Sequence, residues 1–510
     1  MIVLFNPIST TPGKQPLPLS LMSLAAVLEA GPRRSEFGAG ASIPIPWTLV
    51  DGNLVGDPAA EIIARLKGVP ASEVSLLAVT VMPGPQLSQA VAVCARVKTA
   101  MPRLPIVWGG YFPTQHAETV LRAPYVDFVI RSQGERSLLQ LIAVLQSRGL
   151  LNSVGGLSWK TAADGPLVNN PIQPPTNLDD LPDLPYHRVD MARYIHKNYL
   201  GERTLAHNSS FGCPFACSFC AVVAMSGRRW LAQSPATLER VMRHLVATYA
   251  IDAIQMHDMD FFINEARTAD FASRIRNLHL RWWALGRVDV LMQYSDATWD
   301  AMARSGLKMI FSGAESGASE TLEQMNKGGK SSPALTLELA RRMRDYRIVP
   351  EFSFVLGCPP DPVTDVERTF DFIRRIKQIN PATEIVLYTY TPVPLEGSLY
   401  TEARRLGFAF PETLEQWASP EWERLSMRRG DGIPWLERST GRIRRRVRNF
   451  ERVVNAFYPT VTDLRLTGWR RAALKAAGGL RYGLKWYGAP YELRALNRLV
   501  HYQRPETTGF

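Results

Sequence analysis

The sequence predicts an α/β protein in three parts: a doubly wound N-terminal domain over residues 1–158, a partial (β/α)6 barrel over 201–400, and a basic, mostly helical C-terminal domain over 401–510. Three observations predict it. Short apolar runs alternate with stretches of helical periodicity through the first part, a rhythm that implies a parallel sheet covered by helices. A proline-rich stretch over 159–200 interrupts the rhythm. It then resumes, and after about residue 400 helical periodicity alone remains.

In the first part, Ile2–Phe5 is the opening strand and Leu19–Leu28 has helical spacing. Trp47–Asp51 is the second strand. Leu76–Met82 is the third, continuous and apolar as a strand buried on both faces should be. The helix Gln86–Met101, the strand Pro105–Trp108, the strand Val126–Ile130 and the helix Glu135–Ser147 follow. In such sheets ligands bind beyond the carboxyl ends of the strands. Asn169–Pro175 and Leu178–Pro185 read as an extended interdomain linker. Strand candidates then recur at Thr204–His207, Ala253–His257, Arg281–Leu285, Met309–Ser312, Glu351–Val355 and Glu384–Tyr388. Helices such as Pro235–Tyr249 and Pro333–Tyr346 lie between them, which fits a partial barrel.

Composition bounds the function. A chain of 510 residues, 46% hydrophobic and 21% charged, is too long for one core and excludes wholesale disorder, collagen and coiled coil. No apolar run reaches the roughly 18 residues of a bilayer span. The start, Met1–Pro7, carries no basic and apolar leader, so a cytoplasmic protein is expected. The net charge of +12 is uneven, because residues 438–504 hold 16 Lys and Arg against 3 Asp and Glu. Such a tail can meet nucleic acid, anionic lipid or an acidic substrate.

Five cysteines are not a disulfide framework, but Cys213, Cys217 and Cys220 crowd one short loop and point to metal or redox chemistry in a reducing compartment. Thiolates spaced C-x3-C-x2-C can each hold one corner iron of a [4Fe–4S] cluster, leaving the fourth iron open. Zinc is the alternative. A closed zinc site wants four ligands, usually in C-x2-C pairs, and His207 is the available fourth. Cys94 reads as core, and Cys358, at a strand end facing the expected site, as structural.

The loop Gly212–Cys220, with Phe219 before its last cysteine, resembles the CxxxCxxC signature of the radical S-adenosylmethionine (SAM) enzymes. The resemblance implies a cluster whose open iron chelates SAM and whose electron releases a 5′-deoxyadenosyl radical, with an electron donor such as a flavodoxin or ferredoxin. It extends to Asp258 and Asp260, at a strand end where that family meets the SAM amino group, and to Arg287 after the next strand. Ser312 and Glu315 lie in a stretch similar to the family's G-x-E-S-G segment near the ribose and the methionine carboxylate, and Met325–Gly328 continues the likeness.

The first part resembles the Rossmann-like cobalamin-binding domain fused to one branch of that superfamily. Thr80-Val81-Met82 stands where that domain has an S-x-L turn, with Gly84 and Gln86 after it. After 26 intervening residues come Gly109, Gly110 and Tyr111, and Gly134-Glu135 opens the next helix where the family has G-E-G-E. Glycine lets backbone approach a nucleotide tail closely, and Thr80 offers it a hydroxyl. The D-x-H-x-x-G motif that gives cobalt a histidine in other cobalamin proteins is absent. His116, near the Gly-Gly turn, reads as a surface histidine.

Together these resemblances imply a cobalamin-dependent radical SAM methyltransferase, moving a methyl group from methylcobalamin to an unactivated carbon of a small-molecule or lipid-like substrate at the domain junction. The layout also resembles the anaerobic magnesium-porphyrin monoester cyclase and the hopanoid-modifying enzymes, so radical cyclisation or rearrangement is the alternative chemistry. A non-catalytic cobalamin-binding sensor is the alternative outside enzymes. In the tail, Leu466, Trp469, Ala473, Ala477, Leu480, Leu484 and Tyr487 recur at steps of three or four among basic residues. That pattern predicts an amphipathic helix over 466–487 suited to peripheral membrane contact. No nucleic-acid recognition module is visible, so no such partner is expected.

Overall fold

The computed structural model describes residues 1–9, 15–31, 44–70, 73–147, 149–162, 165–327, 331–395, 397–425, 433–437, 442–463, 466 and 468–500. The first sheet comprises β1 (Ile2–Asn6), β2 (Trp47–Asp51), β3 (Leu76–Thr80), β4 (Ile106–Gly109), β5 (Phe128–Ile130), β6 (Leu157–Lys160) and β7 (Leu167–Asn169). Its order is β2-β1-β3-β4-β5-β6-β7, parallel through β5 and antiparallel after it. Alternation within β1 shows why both faces are apolar. Val3 and Phe5 pack toward helices Pro58–Lys67 and Pro85–Ala100, while Ile2 and Leu4 pack toward helices Leu19–Ala30 and Glu135–Ser147. All five parallel strands were legible, although β3 ends two residues early, at Thr80.

β7 lies inside the stretch read as linker, so that reading is corrected: the sheet continues through it. Three-residue and four-residue strands are too short to show a period in sequence; β6 pairs with the edge of β5, and β7 with β6. The rest of the stretch is docked as well. Tyr186, Met191 and Tyr194 are buried, and the Tyr194 hydroxyl donates to Asp51 Oδ2 at 2.8 Å.

The second sheet contains β8 (Thr204–His207), β11 (Ala253–Met256), β12 (Arg281–Leu285), β13 (Leu307–Glu315), β14 (Val349–Leu356) and β15 (Glu384–Thr389), all parallel and in chain order, as a partial barrel requires. Between β8 and β11, the chain forms an antiparallel ribbon that the sequence did not announce, β9 (Ser210–Gly212) with β10 (Trp230–Ala232). β13 runs on to Glu315 through a register shift at Gly313/Glu315.

The C-terminal segment is helical among its described residues, but it does not stand apart as a domain. Leu414 and Trp417 enter the core under the first sheet, and the Tyr125 hydroxyl donates to Glu415 at 3.0 Å. Further on, Phe450 stacks on Phe370 of the barrel at 3.7 Å. This return also corrects the reading of His116. Its ring sits among Phe112, Phe410 and Trp417, at 4.9, 5.3 and 4.7 Å, and burial lowers its pKa to about 4. A contact made by residues some 300 positions later leaves no local signal. No described helix is long and apolar enough to cross a membrane.

Candidate active site

The cysteine loop is built by the ribbon that flanks it. Gly212 pairs with Trp230 at the last rung, with φ of 79°, and delivers the chain into Cys213. A Cβ there would lie 2.2 Å from the Arg229 carbonyl oxygen and 2.6 Å from Ser226 Cβ, so the turn admits only glycine. The other wall is the 324–327 segment. Ser218 N donates to Met325 O at 3.0 Å, Ser218 Oγ to Gln324 O at 2.8 Å, and Asn326 Nδ2 to Ala216 O at 3.0 Å.

Arg287 joins these pieces. Its guanidinium holds Asp289 through two hydrogen bonds of 3.0 and 2.9 Å, donates to Cys217 Sγ at 3.2 Å and to Lys327 O, and lies 3.7 Å from the centre of the Phe215 ring. Burial pushes the Cys213 thiol up to about 12 and Cys220 to about 11. Cys358 is buried in the barrel core and Cys94 accepts from Trp108 Nε1 at 3.3 Å, so both keep structural roles.

His207 is not free to complete a zinc site. Tyr186 and Gln233 hold its ring nitrogens at 3.3 and 3.5 Å. Among the described residues, no group of three or more His, Cys, Asp or Glu side chains is gathered as a single-ion site. A four-iron cube spaces its thiolates more widely than one ion does.

The two expected SAM-facing aspartates divide. Asp258 accepts from Ser209 N at 3.1 Å and Ser209 Oγ at 2.8 Å, while Arg267 donates to the same hydroxyl at 2.8 Å. It braces the link that follows β8, with both carboxylate oxygens accepting from Ser209. Asp260 is different. Its Oδ1 accepts from Phe262 N at 3.1 Å, but Oδ2 is buried without a hydrogen-bond partner. Burial raises its pKa to about 7. Ser312 Oγ is likewise buried and unpartnered. Orphaned polar atoms are rare in native interiors, and they mark where a polar ligand fits. Glu315, at φ 62°, is bound instead by Lys327, which also donates to Gly313 O. Lys327 lies in the Met325–Gly328 stretch, and its pairing with Glu315 depends on the β13 register shift, which no local pattern in the sequence shows.

Beside this centre lies a cavity of about 600 Å³ between the two sheets, facing the carboxyl ends of both. Thr80, Met82, Gln86, Gly109, Gly110, Tyr111, Gly134 and Glu135 line it from the first domain, and His207, Phe211, Gly212 and Met259 from the barrel. Gly84 does not line it; with φ of 89° it starts the helix Pro85–Ala100. Met82 and Met259 are large apolar side chains left 46% and 50% exposed, and both face this space. Gly110 is required by the protein, since φ is 95° and a Cβ would lie 3.0 Å from Thr80 Oγ1. Gly109 is not, because its Cβ would meet nothing nearer than Ile130 O at 3.6 Å. An uncrowded glycine and two uncovered methionines on one wall fit a large group lying against that wall. Glu135 accepts from Ser23 Oγ at 2.5 Å, and its Oε2 is a further buried orphan. Burial pushes Tyr111 up to about 12, with Cys220 close enough to add to the rise. Helix Tyr111–Gln115 packs on helix Val222–Ser226. The Gly-Gly turn and the cysteine loop therefore meet across the domain junction.

Residues 207–373 match the radical SAM superfamily, and residues 8–142 match the B12 binding domain. The chain is 29% identical over 278 residues to an uncharacterized methyltransferase of Pyrococcus horikoshii, covering 53% of this chain and 58% of that protein. It is 29% identical over 323 residues to the hopanoid C-3 methylase of Methylococcus capsulatus, covering 61% and 58%. Identity to the anaerobic magnesium-protoporphyrin IX monomethyl ester cyclase of Synechocystis sp. is 27% over 288 residues, covering 56% and 54%. The chain thus spans little more than half the length of these relatives. Among solved structures, the radical SAM methyltransferase TsrM from Kitasatospora setae superposes with a TM-score of 0.64 over 98% of both chains at 16% identity, a likeness of fold. This chain joins a B12 binding domain to a radical SAM superfamily domain, the pair that takes a cobalamin, a [4Fe–4S] cluster and SAM.

Proposed function

We propose that this protein is a cobalamin-dependent radical SAM C-methyltransferase acting on an unactivated carbon of a small-molecule or lipid-like substrate. One observation carries the reading: the residues suited to cobalamin line a cavity at the domain junction whose barrel wall is built by Phe211, Gly212, Val222 and Ser226, the residues on either side of the cysteines. When bound, the cluster supplies one-electron cleavage of SAM and the cobalamin supplies a transferable methyl group. The protein's own part is to hold and orient. Cys213, Cys217 and Cys220 ligate iron. Arg287 fixes Cys217, and Asp260 receives the SAM ammonium. Thr80, Gly109, Gly110 and Tyr111 seat the cobalamin, and Leu17, Leu21 and Leu24 keep that wall of the cavity apolar. A flavodoxin or ferredoxin delivers the electron. Anaerobic incubation with methyl-deuterated SAM and a cell extract tests the reading. A product heavier by a labelled methyl supports it, whereas 5′-deoxyadenosine formation without label transfer defeats it.

Asp260→Asn weakens SAM binding to the reconstituted protein by about tenfold to a hundredfold, the loss of one charge-assisted hydrogen bond. The wild-type carboxyl takes up a proton as pH falls through about 7, so its affinity declines there. The variant lacks that step, and equilibrium dialysis across the range checks both.

Gly109→Ala folds normally, because the protein leaves room for the methyl group. It lowers cobalamin affinity by about tenfold, by crowding the wall on which the ligand lies. Absorbance titration of the apoprotein reads the effect; unchanged affinity removes Gly109 from the site.

A further inference from the structure

The helix Gly468–Gly483 has two apolar faces, and only one of them is covered. Leu474, Gly478 and Tyr482, at steps of four, are buried. At Gly478 a Cβ would lie 2.8 Å from Phe457 N, so the glycine lets this helix cross the helix Arg442–Phe457 in backbone contact. Leu466 and Tyr487, expected on a free stripe, belong to the buried set. Arg481 is buried too. It binds Glu492 and the Gly488 carbonyl and lies 3.9 Å from the Trp486 ring, fixing the turn into helix Tyr491–Val500.

The opposite side stands in solvent. Trp469 is 71% exposed, Leu480 69% and Leu484 68%; Trp469 and Leu480, eleven residues apart, share one helix face, and Leu484 follows the last helical residue, its N–H donating to Leu480 O. Further along the chain, Trp486 and Tyr491 are exposed as well, at 53% and 68%. Five of the ten large apolar side chains that are exposed among the described residues thus fall between 469 and 491. Arg470, Lys475, Arg494 and Arg498 lie on the same two helices, and residues 438–504 carry 16 basic side chains against 3 acidic.

We propose that this face is a docking surface for an anionic phospholipid membrane, with Trp469, Leu480, Leu484, Trp486 and Tyr491 entering the headgroup–acyl boundary and the basic side chains meeting the phosphates. Leucine and tryptophan facing out among arginine and lysine is the pattern that lies in a bilayer interface. Strong positive charge selects a negative surface over a neutral one. The helix is anchored to the barrel by its other face, so docking sets the orientation of the whole molecule. This surface stands independently of the cofactor chemistry.

Flotation of the full chain with vesicles of phosphatidylcholine, with and without phosphatidylglycerol, tests it. Wild-type protein floats with the anionic vesicles, is released by high salt, and its tryptophan emission shifts to the blue. The triple variant Trp469→Ser, Leu480→Ser, Leu484→Ser partitions about tenfold less or weaker. Because all three side chains are exposed, its circular dichroism and thermal unfolding match the wild type. Failure of the wild type to float, or equal flotation of the variant, overturns the proposal. So does sedimentation showing a wild-type dimer that the variant dissociates without lipid, which would make the patch a contact between copies.

Discussion

Gly212→Ala leaves the protein folded and strips it of its iron. The added methyl group would lie 2.2 Å from the carbonyl oxygen of Arg229, the residue that leads into the partner strand of the ribbon, so β9 and β10 must part. A side chain at φ of 79° adds a further cost of about 1–2 kcal/mol. Cys213 follows immediately and moves with the strand, which puts one of three ligands out of reach. Iron and sulfide per chain after anaerobic reconstitution are expected to fall more than tenfold, while far-UV circular dichroism is retained because both large sheets are untouched. Gly227→Ala is the internal control. Gly227 also has positive φ, 57°, but a Cβ there meets nothing within 4 Å. It should keep its cluster. Equal iron in Gly212→Ala and wild type would show that the ribbon does not aim the loop.

Lys327→Met is the most destabilising single change expected in the barrel. Lys327 and Glu315 are 5% and 8% exposed and pair directly, so removal of the ammonium leaves a carboxylate buried without its counter-charge. Breaking such a pair from one side costs about 3–5 kcal/mol. Replacing both partners by uncharged groups restores much of that, since no lone charge remains. Denaturant unfolding of the apoprotein should therefore rank wild type above Lys327→Met, Glu315→Gln, and that double variant above Lys327→Met alone. A Lys327→Met midpoint equal to wild type would deny the pair its role. The double variant also separates stability from ligand contact: if it is fully folded under the binding conditions but no longer binds SAM, Glu315 or Lys327 touches the ligand as well.

The cysteine triad and the Gly-Gly turn were legible because their chemistry demands residue types at fixed local spacing. Asp260 and Asp258 show where legibility stops. Both sit on the same strand exit, two residues apart, and only the position of Ser209, in the link from β8 to β9, decides that one is used as a brace while the other keeps an unpartnered oxygen. The tail illustrates the same limit. Its helical period was visible, but which apolar residues face the protein was fixed by the crossing at Gly478, and the single stripe divided into a buried set and an exposed one.

By itself, the sequence determined the order of the parallel strands along the chain, the thiolate loop and the close-approach glycines, because hydrophobic period and ligand spacing are properties of neighbouring residues. Only the tertiary structure decided that β6 and β7 extend the first sheet, that His116 lies among aromatic rings, that Arg287 reaches Cys217, and that the carboxyl ends of both sheets open on one cavity. Each of these joins segments far apart in the chain, and such contacts are set by how whole layers pack rather than by any local pattern.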